Sequence, residues 1–196
     1  MKENYTLDPE KFINIMDRLE DWRTVRHIDI KSQVPGLYAN LLEEQAELER
    51  AILSNDIDGV VDAYCDMVIF LLNAYDIRDW FKNHIKDGKV IELPRMPIKT
   101  SVLNGIRYTT HNELKLICVE PVKNINKEVF IFVSHIFSTI YMYGYDPIMC
   151  VEEVIKHISS RIGKWDETIK KFVKDTSEEA KAKWYEHDFN KCKIGE

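Results

Sequence analysis

The sequence predicts an all-α fold. Apolar side chains recur at helical spacing in five segments of the chain. Neither a GxxxxGK loop nor a GxGxxG turn is present, so the usual nucleotide-binding folds lose support. A length of 196 residues, 45% of them hydrophobic, suits one sizeable core. We therefore expect a single helical domain over residues 1–196.

The first three helices are predicted from their start signals and apolar stripes. Asp8 is a suitable N-cap, and Pro9 suits the first position of helix one. The second helix opens at Pro35 and Gly36. A polar break at residues 54–56 reverses the chain, and the third helix runs from about Asp56 to about Tyr75. The apolar stripes of the first two helices comprise Phe12, Ile13, Met16, Leu19, Leu37, Leu41, Leu48 and Ile52.

Residues 86–121 form an irregular insertion, because proline and glycine interrupt any long periodicity there. Asn104-Gly105 between two apolar triplets is typical of a tight β-hairpin. Thr110 to Glu113 equally fits a helix capping box. Both alternatives, a helix start and one short hairpin, stay open.

Helical periodicity returns after the insertion. One helix spans the segment that begins near Val129 and is ended by Gly144, and another runs from Pro147 to about Ser160. From Arg161 onward lysines alternate with aromatic residues, a mixture typical of a solvated amphipathic surface with aromatic side chains packed inward.

Composition restricts the function classes. A net charge of −6 argues against broad attraction to nucleic acid. The first residues do not resemble a signal peptide, and the apolar runs are too short to span a bilayer. The four cysteines are widely spaced, which suits a reducing interior. We expect a cytoplasmic protein with neither membrane nor nucleic acid as a partner.

Four acidic residues carry the strongest chemical signal. Glu44 and Glu47 lie one turn apart on the second helix, and Asp62 and Asp66 lie one turn apart on the third. Spacings of three and four return to the same helix face at about 3.6 residues per turn. If the two helices form an antiparallel hairpin about Asn55, the two pairs face each other.

Such a set of acids indicates a divalent-cation site. Carboxylates held close together need protonation or a cation, and Mg²⁺ prefers oxygen ligands and retains sites for water or phosphate. The glutamate pair alone also fits an ordinary solvated helix face. Asp62 and Asp66 do not, because they interrupt a strongly apolar helix where aspartate is costly.

The motifs resemble those of the MazG-like, all-α nucleoside triphosphate pyrophosphohydrolases. Glu44-Gln45-Ala46-Glu47 matches the ExxE of that superfamily, and the DAYCD segment from Asp62 to Asp66 is similar to a DALxD form of phage and bacterial members. The more common second half is ExxD, but the residue three before Asp66 is Ala63, so Asp62 takes the role of the missing glutamate. The segment from Cys150 to Asp175 resembles the tail of small MazG-like proteins.

The resemblance implies a fold, a reaction and a set of residues. It implies a helical bundle with a carboxylate-bearing helix pair that hydrolyses a nucleoside triphosphate, on phage-type precedent a deoxynucleotide, to the monophosphate and pyrophosphate. Mg²⁺, with Mn²⁺ as a substitute, is held by Glu44, Glu47, Asp62 and Asp66, and Glu43 orients or deprotonates the attacking water. The residues that would contact the phosphates are Ser160, Arg161, Lys171, Lys174 and Asp175. It further implies a homodimer or homotetramer, in the host cytoplasm if the chain is phage-encoded.

Two other functions remain alternatives. One is a dUTPase or phosphoribosyl-ATP pyrophosphohydrolase within the same superfamily. The other is a non-catalytic helical protein that binds metal or nucleotide in the acidic groove, an alternative favoured by the departure at Ala63.

Overall fold

A computed structural model of the protein describes residues 4–85, 91–93, 123–169 and 171–195, apart from the side chain of Lys171. Helices account for most of these residues, which confirms the predicted all-α class at the level of secondary structure. None of the helices in this part of the chain has both the length and the apolar character needed to cross a membrane. The helices are α1 (Pro9–Val25), α2 (Val34–Ser54), α3 (Ile57–Ala74), α4 (Arg78–His84), α5 (Ile125–Met142), α6 (Pro147–Ser160) and α7 (Glu178–Lys181), with short 3-10 helices at Ile30–Ser32 and Phe189–Cys192.

Two small antiparallel strand pairs accompany the helices. Strand β1 (Tyr5–Leu7) pairs with β2 (Ile91–Leu93), with Tyr5 opposite Leu93. Strand β3 (Gly163–Asp166) pairs with β4 (Lys171–Lys174), with Trp165 opposite Phe172. Apart from β2, the predicted insertion at 86–121 lies outside the described residues, and so do its two alternatives, the hairpin at Asn104-Gly105 and the capping box at Thr110–Glu113.

The ends of α1, α2 and α3 follow from local chemistry. Asp8 caps α1 by accepting hydrogen bonds from the backbone N–H groups of Glu10 and Lys11, at 2.9 and 3.3 Å, which confirms the predicted cap. Asn55 ends α2 in the left-handed conformation, with φ of 57°. Asp56 then caps α3 by accepting from Gly59 N at 3.0 Å. The two acidic helices are therefore joined by a turn of two residues.

Helix α3 lies at the centre of the packing. It contacts α1, α2, α5 and α6, whereas α2 packs mainly on α3 and on the 3-10 helix at Ile30–Ser32. Most of α3 is buried, including Tyr64, Met67 and Leu71. The burial of these apolar side chains is the main favourable contribution to folding. The carboxylates on α3 are thus fixed by the core, and those on α2 are carried by a peripheral helix.

Candidate carboxylate site

The four predicted acids lie on α2 and α3, close enough for the charges of the other three to raise the pKa of Glu44. Glu44 is buried at 8% exposure, whereas the side chain of Glu47 is 50% exposed and its carboxylate lies 3.5 Å from the Arg50 guanidinium. Asp62 and Asp66 are half-buried on α3. The charges of these acids act on one another across the two helices, because Asp66, Glu47 and Asp62 each raise the pKa of Glu44.

Glu44 is the most constrained member of the groove. Its Oε2 atom is buried and has no hydrogen-bond partner in the part of the chain that the structure describes. Burial, followed by the negative charges of Asp66 and Glu47, raises the pKa of Glu44 from 4.5 to about 8. A buried carboxyl with an unsatisfied oxygen is costly, so this position calls for a proton or a cation.

The two aspartates show the same tendency. Burial and the charge of Asp62 raise the pKa of Asp66 from 3.8 to about 7. Burial also raises the pKa of Asp62, while the nearby imidazole of His187 opposes that rise. All three acids thus carry raised pKa values, the pattern expected where like charges share a partly desolvated site.

The side chains are not drawn together around a common centre. Within residues 4–85, 91–93, 123–169 and 171–195, no three His, Cys, Asp or Glu side chains are gathered closely enough to hold a metal ion. Glu47 instead pairs with Arg50, and Asp62 Oδ1 lies 3.5 Å from His187 Nε2. Coordination by all four acids would require side-chain rotation. For Glu47 the cost is small, because exposed ion pairs contribute about 0–1 kcal/mol.

Glu43 is exposed next to this groove. Its charge contributes, as the smallest of the causes given, to the raised pKa of Glu44. Solvent access and nearness to the acids are what the predicted role in water activation requires.

Arg161, directly after α6, is a cation whose charge acts on the acids of the groove. Its positive charge opposes the rise in the pKa of both Asp62 and Asp66. The guanidinium donates from Nη2 to His157 Nε2 at 2.6 Å and lies 5.5 Å from the centre of the Trp184 ring. Its Nε is buried and has no partner among the described residues. A guanidinium with an unused donor beside a group of acids suits the binding of a phosphate.

Arg26 holds the end of α6 that precedes Arg161. This arginine is 6% exposed, and its Nη2 donates to the carbonyl oxygens of Ile158, Ser159 and Arg161 at 3.1, 3.3 and 3.0 Å. Its guanidinium also lies over the Phe172 ring, 5.1 Å from the centre. A single residue of α1 therefore satisfies the last carbonyls of α6 and contacts the β3–β4 pair.

The other predicted phosphate ligands occupy different positions. Ser160 donates its hydroxyl hydrogen to His157 O at 2.7 Å and accepts from Tyr185 N at 2.7 Å, so its donor is already used. Lys174 is exposed on β4, and its charge opposes the rise in the pKa of Asp66. Asp175 is exposed and accepts from Ser177 N at 3.0 Å. The side chain of Lys171 lies outside the described part of the structure, so its role stays a prediction.

A cavity of about 540 Å³ lies against the β3–β4 pair. Lys164, Lys174, Thr176 and Ser177 are among its lining residues. The volume falls in the range of small-molecule sites, and these polar groups can donate to an anion. Lys174 links this cavity to the carboxylate groove, because its charge acts on Asp66.

Sequence reasoning identified Arg161 but missed its contact with His157 and the other residues that connect α6 to the groove. His157 and Arg161 are four residues apart on one helix face, a spacing that could have indicated their contact. His187 approaches Asp62 from a segment 125 residues further along the chain (187 − 62), and no local pattern marks that approach. Buried Glu153 was missed for the same reason, since its partners Tyr185 and Asp188 are distant in sequence.

Comparisons of the chain with models of protein families, with curated proteins and with solved structures found no match.

Proposed function

We propose that the protein is a Mg²⁺-dependent nucleoside triphosphate pyrophosphohydrolase of the MazG-like type. The observation that carries this proposal is the groove between α2 and α3, where buried Glu44 has an unpartnered oxygen and a pKa raised to about 8 by burial and by the other acids. The paired motifs, ExxE on α2 and DxxxD on α3, resemble that superfamily and support the same function.

Glu44, Glu47, Asp62 and Asp66 are the proposed ligands of the cation. Their oxygen donors suit Mg²⁺, or Mn²⁺ in its place, better than zinc. A bound divalent cation supplies charge neutralisation and lowers the pKa of water. The acids that carry raised pKa values would exchange protons for the cation, so binding should release protons near neutral pH.

The reaction is a hydrolysis at the α-phosphorus. The oxygen of water forms a bond to that phosphorus, the bond to the bridging oxygen between the α- and β-phosphates breaks, and pyrophosphate leaves with that oxygen. Glu43, exposed beside the groove, accepts the proton of the water. The products are a nucleoside monophosphate and pyrophosphate.

Arg161 and Lys174 are the proposed ligands of the departing pyrophosphate. Both act on the groove through their charges, since each opposes the rise in the pKa of Asp66. Stabilisation of negative charge on phosphate oxygens is the main requirement of phosphoryl chemistry. Ser160 and Lys171 remain predicted contributors on the basis of the motif alone. The proposed substrate is a deoxynucleoside triphosphate, and the proposed assembly is a homodimer or homotetramer.

The test is pyrophosphate release from each common nucleoside and deoxynucleoside triphosphate, with dUTP and phosphoribosyl-ATP included to separate the two narrower activities. We expect Mg²⁺-dependent turnover by the native protein. Asp66→Asn should reduce kcat/KM at least about 100-fold, because even outer partners of metal ligands can cost about 10–100-fold when removed. The matched control is Asp21→Asn, the same change at an exposed carboxylate on α1.

Two results would contradict the proposal. If Asp66→Asn releases pyrophosphate as fast as the native protein, Asp66 is not a ligand of the metal and the assigned metal site is wrong. Binding of a nucleotide in calorimetry without any product from the whole substrate set would show a binding protein in place of an enzyme.

A further inference from the structure

A segment after α7 packs on α6 and approaches Asp62 of the carboxylate groove through His187. Residues 184–189, here called the strap, lie along α6. Tyr185 N donates to Ser160 Oγ at 2.7 Å, and the Tyr185 hydroxyl donates to Glu153 Oε2 at 2.5 Å. The carbonyl oxygen of Tyr185 accepts a short hydrogen bond from His157 Nδ1. The strap is thus attached to α6 by main-chain and side-chain bonds at Tyr185.

Glu153 provides a second attachment. Its carboxylate is buried at 4% exposure and accepts from Tyr185, from Lys156 Nζ at 2.5 Å and from Asp188 N at 3.4 Å. Buried polar groups whose partners are all present fix a single arrangement, because every alternative leaves a charge unpaired. The backbone on both sides of His187 is therefore held in place.

His187 lies between these two attachments and faces the groove. Its Nε2 is 3.5 Å from Asp62 Oδ1, and its ring packs on Phe189 with 4.6 Å between centres and on the edge of His157 at 5.4 Å. A carboxylate oxygen can only accept a hydrogen bond, so a bond between them requires the hydrogen on Nε2. This contact engages one oxygen of Asp62.

His157 joins the strap to Arg161. A carbonyl oxygen only accepts and a guanidinium only donates, so His157 carries its hydrogen on Nδ1, toward Tyr185 O, and accepts from Arg161 on Nε2. The strap therefore contacts the groove twice, through His187 to Asp62 and through His157 to Arg161. Trp184 adds a third contact with its ring against Arg161.

We propose that His187 is a positioning residue for Asp62 and that the attachments of the strap at Tyr185 and Glu153 hold it in place. This inference rests on the proposed function, since it assigns Asp62 Oδ1 to His187 and Oδ2 to the cation. Carboxylate ligands of metals are commonly oriented by such outer partners, whose loss costs about 10–100-fold in metal affinity or activity.

The experiment compares three variants of the full chain. His187→Phe keeps an aromatic ring against Phe189 and His157 but removes the donor, whereas His187→Gln restores an N–H near the position of Nε2. Glu186→Gln is the control, because Glu186 is an exposed neighbour on the same strap. Each variant is measured for the Mg²⁺ concentration that gives half-maximal pyrophosphate release and for Mn²⁺ affinity by calorimetry with the metal alone. Circular dichroism and thermal melts establish that each variant is folded.

We expect His187→Phe to raise the Mg²⁺ concentration for half-maximal pyrophosphate release, and the Kd for Mn²⁺, about tenfold or more. His187→Gln should recover much of that loss, and Glu186→Gln should match the native protein. A merely structural role would favour Phe over Gln, because only Phe keeps a ring packed on Phe189 and His157.

The outcomes distinguish this inference from the proposed function. If the native protein releases pyrophosphate and His187→Phe has an unchanged Mg²⁺ requirement and an unchanged Kd for Mn²⁺, the role of His187 is overturned. The proposed pyrophosphohydrolase function would then still stand. Absence of turnover in the native protein would overturn the proposed function, and the Mn²⁺ measurement would still decide the contact between His187 and Asp62. Absence of both turnover and Mn²⁺ binding would overturn both. If His187→Phe does not fold, Tyr185→Phe, which removes the hydroxyl bonded to Glu153, must weaken metal binding in the same direction for the inference to stand.

Discussion

At the scale of single residues, Glu44 and Glu153 show two different environments for a buried carboxylate. Glu153 is as buried as Glu44, yet Tyr185, Lys156 and Asp188 satisfy its carboxylate. Glu44 has an oxygen without a partner among the described residues and other acids around it. The first arrangement stabilises the fold, and the second is unfavourable until a proton or cation arrives.

This difference predicts how stability depends on pH. The pKa of Glu44 is raised from 4.5 in its ordinary state to about 8 in the folded protein, so the folded state holds a proton that the unfolded state has lost between those values. The contribution of Glu44 to stability is complete below about pH 4.5 and is lost as pH rises through about 8. Asp66, raised to about 7, acts in the same direction.

We therefore expect the free energy of unfolding, measured with urea in a chelator, to fall between pH 5.5 and pH 8.5. Glu44→Gln should flatten this dependence and be more stable than the native protein at pH 8.5 by roughly 1–3 kcal/mol. Added Mg²⁺ should raise the stability of the native protein at pH 8.5 and leave Glu44→Gln less affected. Glu167→Gln, at an exposed acid in the β3–β4 turn, serves as the control. An unchanged pH dependence in Glu44→Gln would contradict the assignment.

Sequence reasoning can single out acids whose position is itself unusual. Asp62 and Asp66 stand in a strongly apolar helix, and this conflict between residue and environment is visible without coordinates. Arg161 was identified through a resemblance of motifs. His187 was not identified, since its role depends on a contact across the fold that no local spacing encodes.

At the scale of elements, the pair α2 and α3 depends on its two-residue turn. Asn55 adopts a left-handed conformation with φ of 57°, which asparagine tolerates and alanine does not. The turn fixes how the acids of α2 meet those of α3.

Asn55→Ala should lower the free energy of unfolding by roughly 1–2 kcal/mol, the cost of a left-handed residue with a Cβ. Asn55→Gly should be close to native or slightly more stable, because glycine adopts this conformation without strain. Urea denaturation of the three proteins measures the difference. If both variants lose the same free energy of unfolding, the side chain of Asn55 contributes more to stability than its left-handed backbone conformation does.

The strand pairs show what sequence patterns could not predict. Residues from Arg161 onward were expected to form a solvated amphipathic surface, whereas Gly163–Asp166 and Lys171–Lys174 form a hairpin. Four-residue strands give too short an alternation to be recognised among charged residues. Close approach also matters, because a Cβ on Gly163 would lie 2.3 Å from the carbonyl oxygen of Val173. Strand β1 pairs with β2 over a long sequence separation, so neither is detectable locally.

At the scale of the whole molecule, α2 has an apolar outer face. Val34, Tyr38 and Leu42 are spaced by four residues on α2 and are 41%, 39% and 40% exposed. Contiguous exposed apolar side chains usually mark a contact surface. This face fits the proposed homodimer or homotetramer.

Sedimentation velocity should show an oligomer for the native protein, and Leu42→Glu should shift it toward the monomer, because a charge at the centre of an apolar contact is costly. Val25→Glu is the control, since Val25 is 75% exposed and belongs to a different helix, α1. A native monomer, or an oligomer that Leu42→Glu leaves intact, would contradict the role of this surface.

The central position of α3 has a consequence for the proposed metal site. Because α3 is packed against four other helices, Asp62 and Asp66 form the rigid half of the groove. The glutamates belong to α2, whose contacts are mainly with α3 and one 3-10 helix, so this half can adapt. Substitutions on the outside of α2 should therefore change the preference for small against large divalent ions without reaching the core, and that helix is the natural starting point for redesigning metal preference.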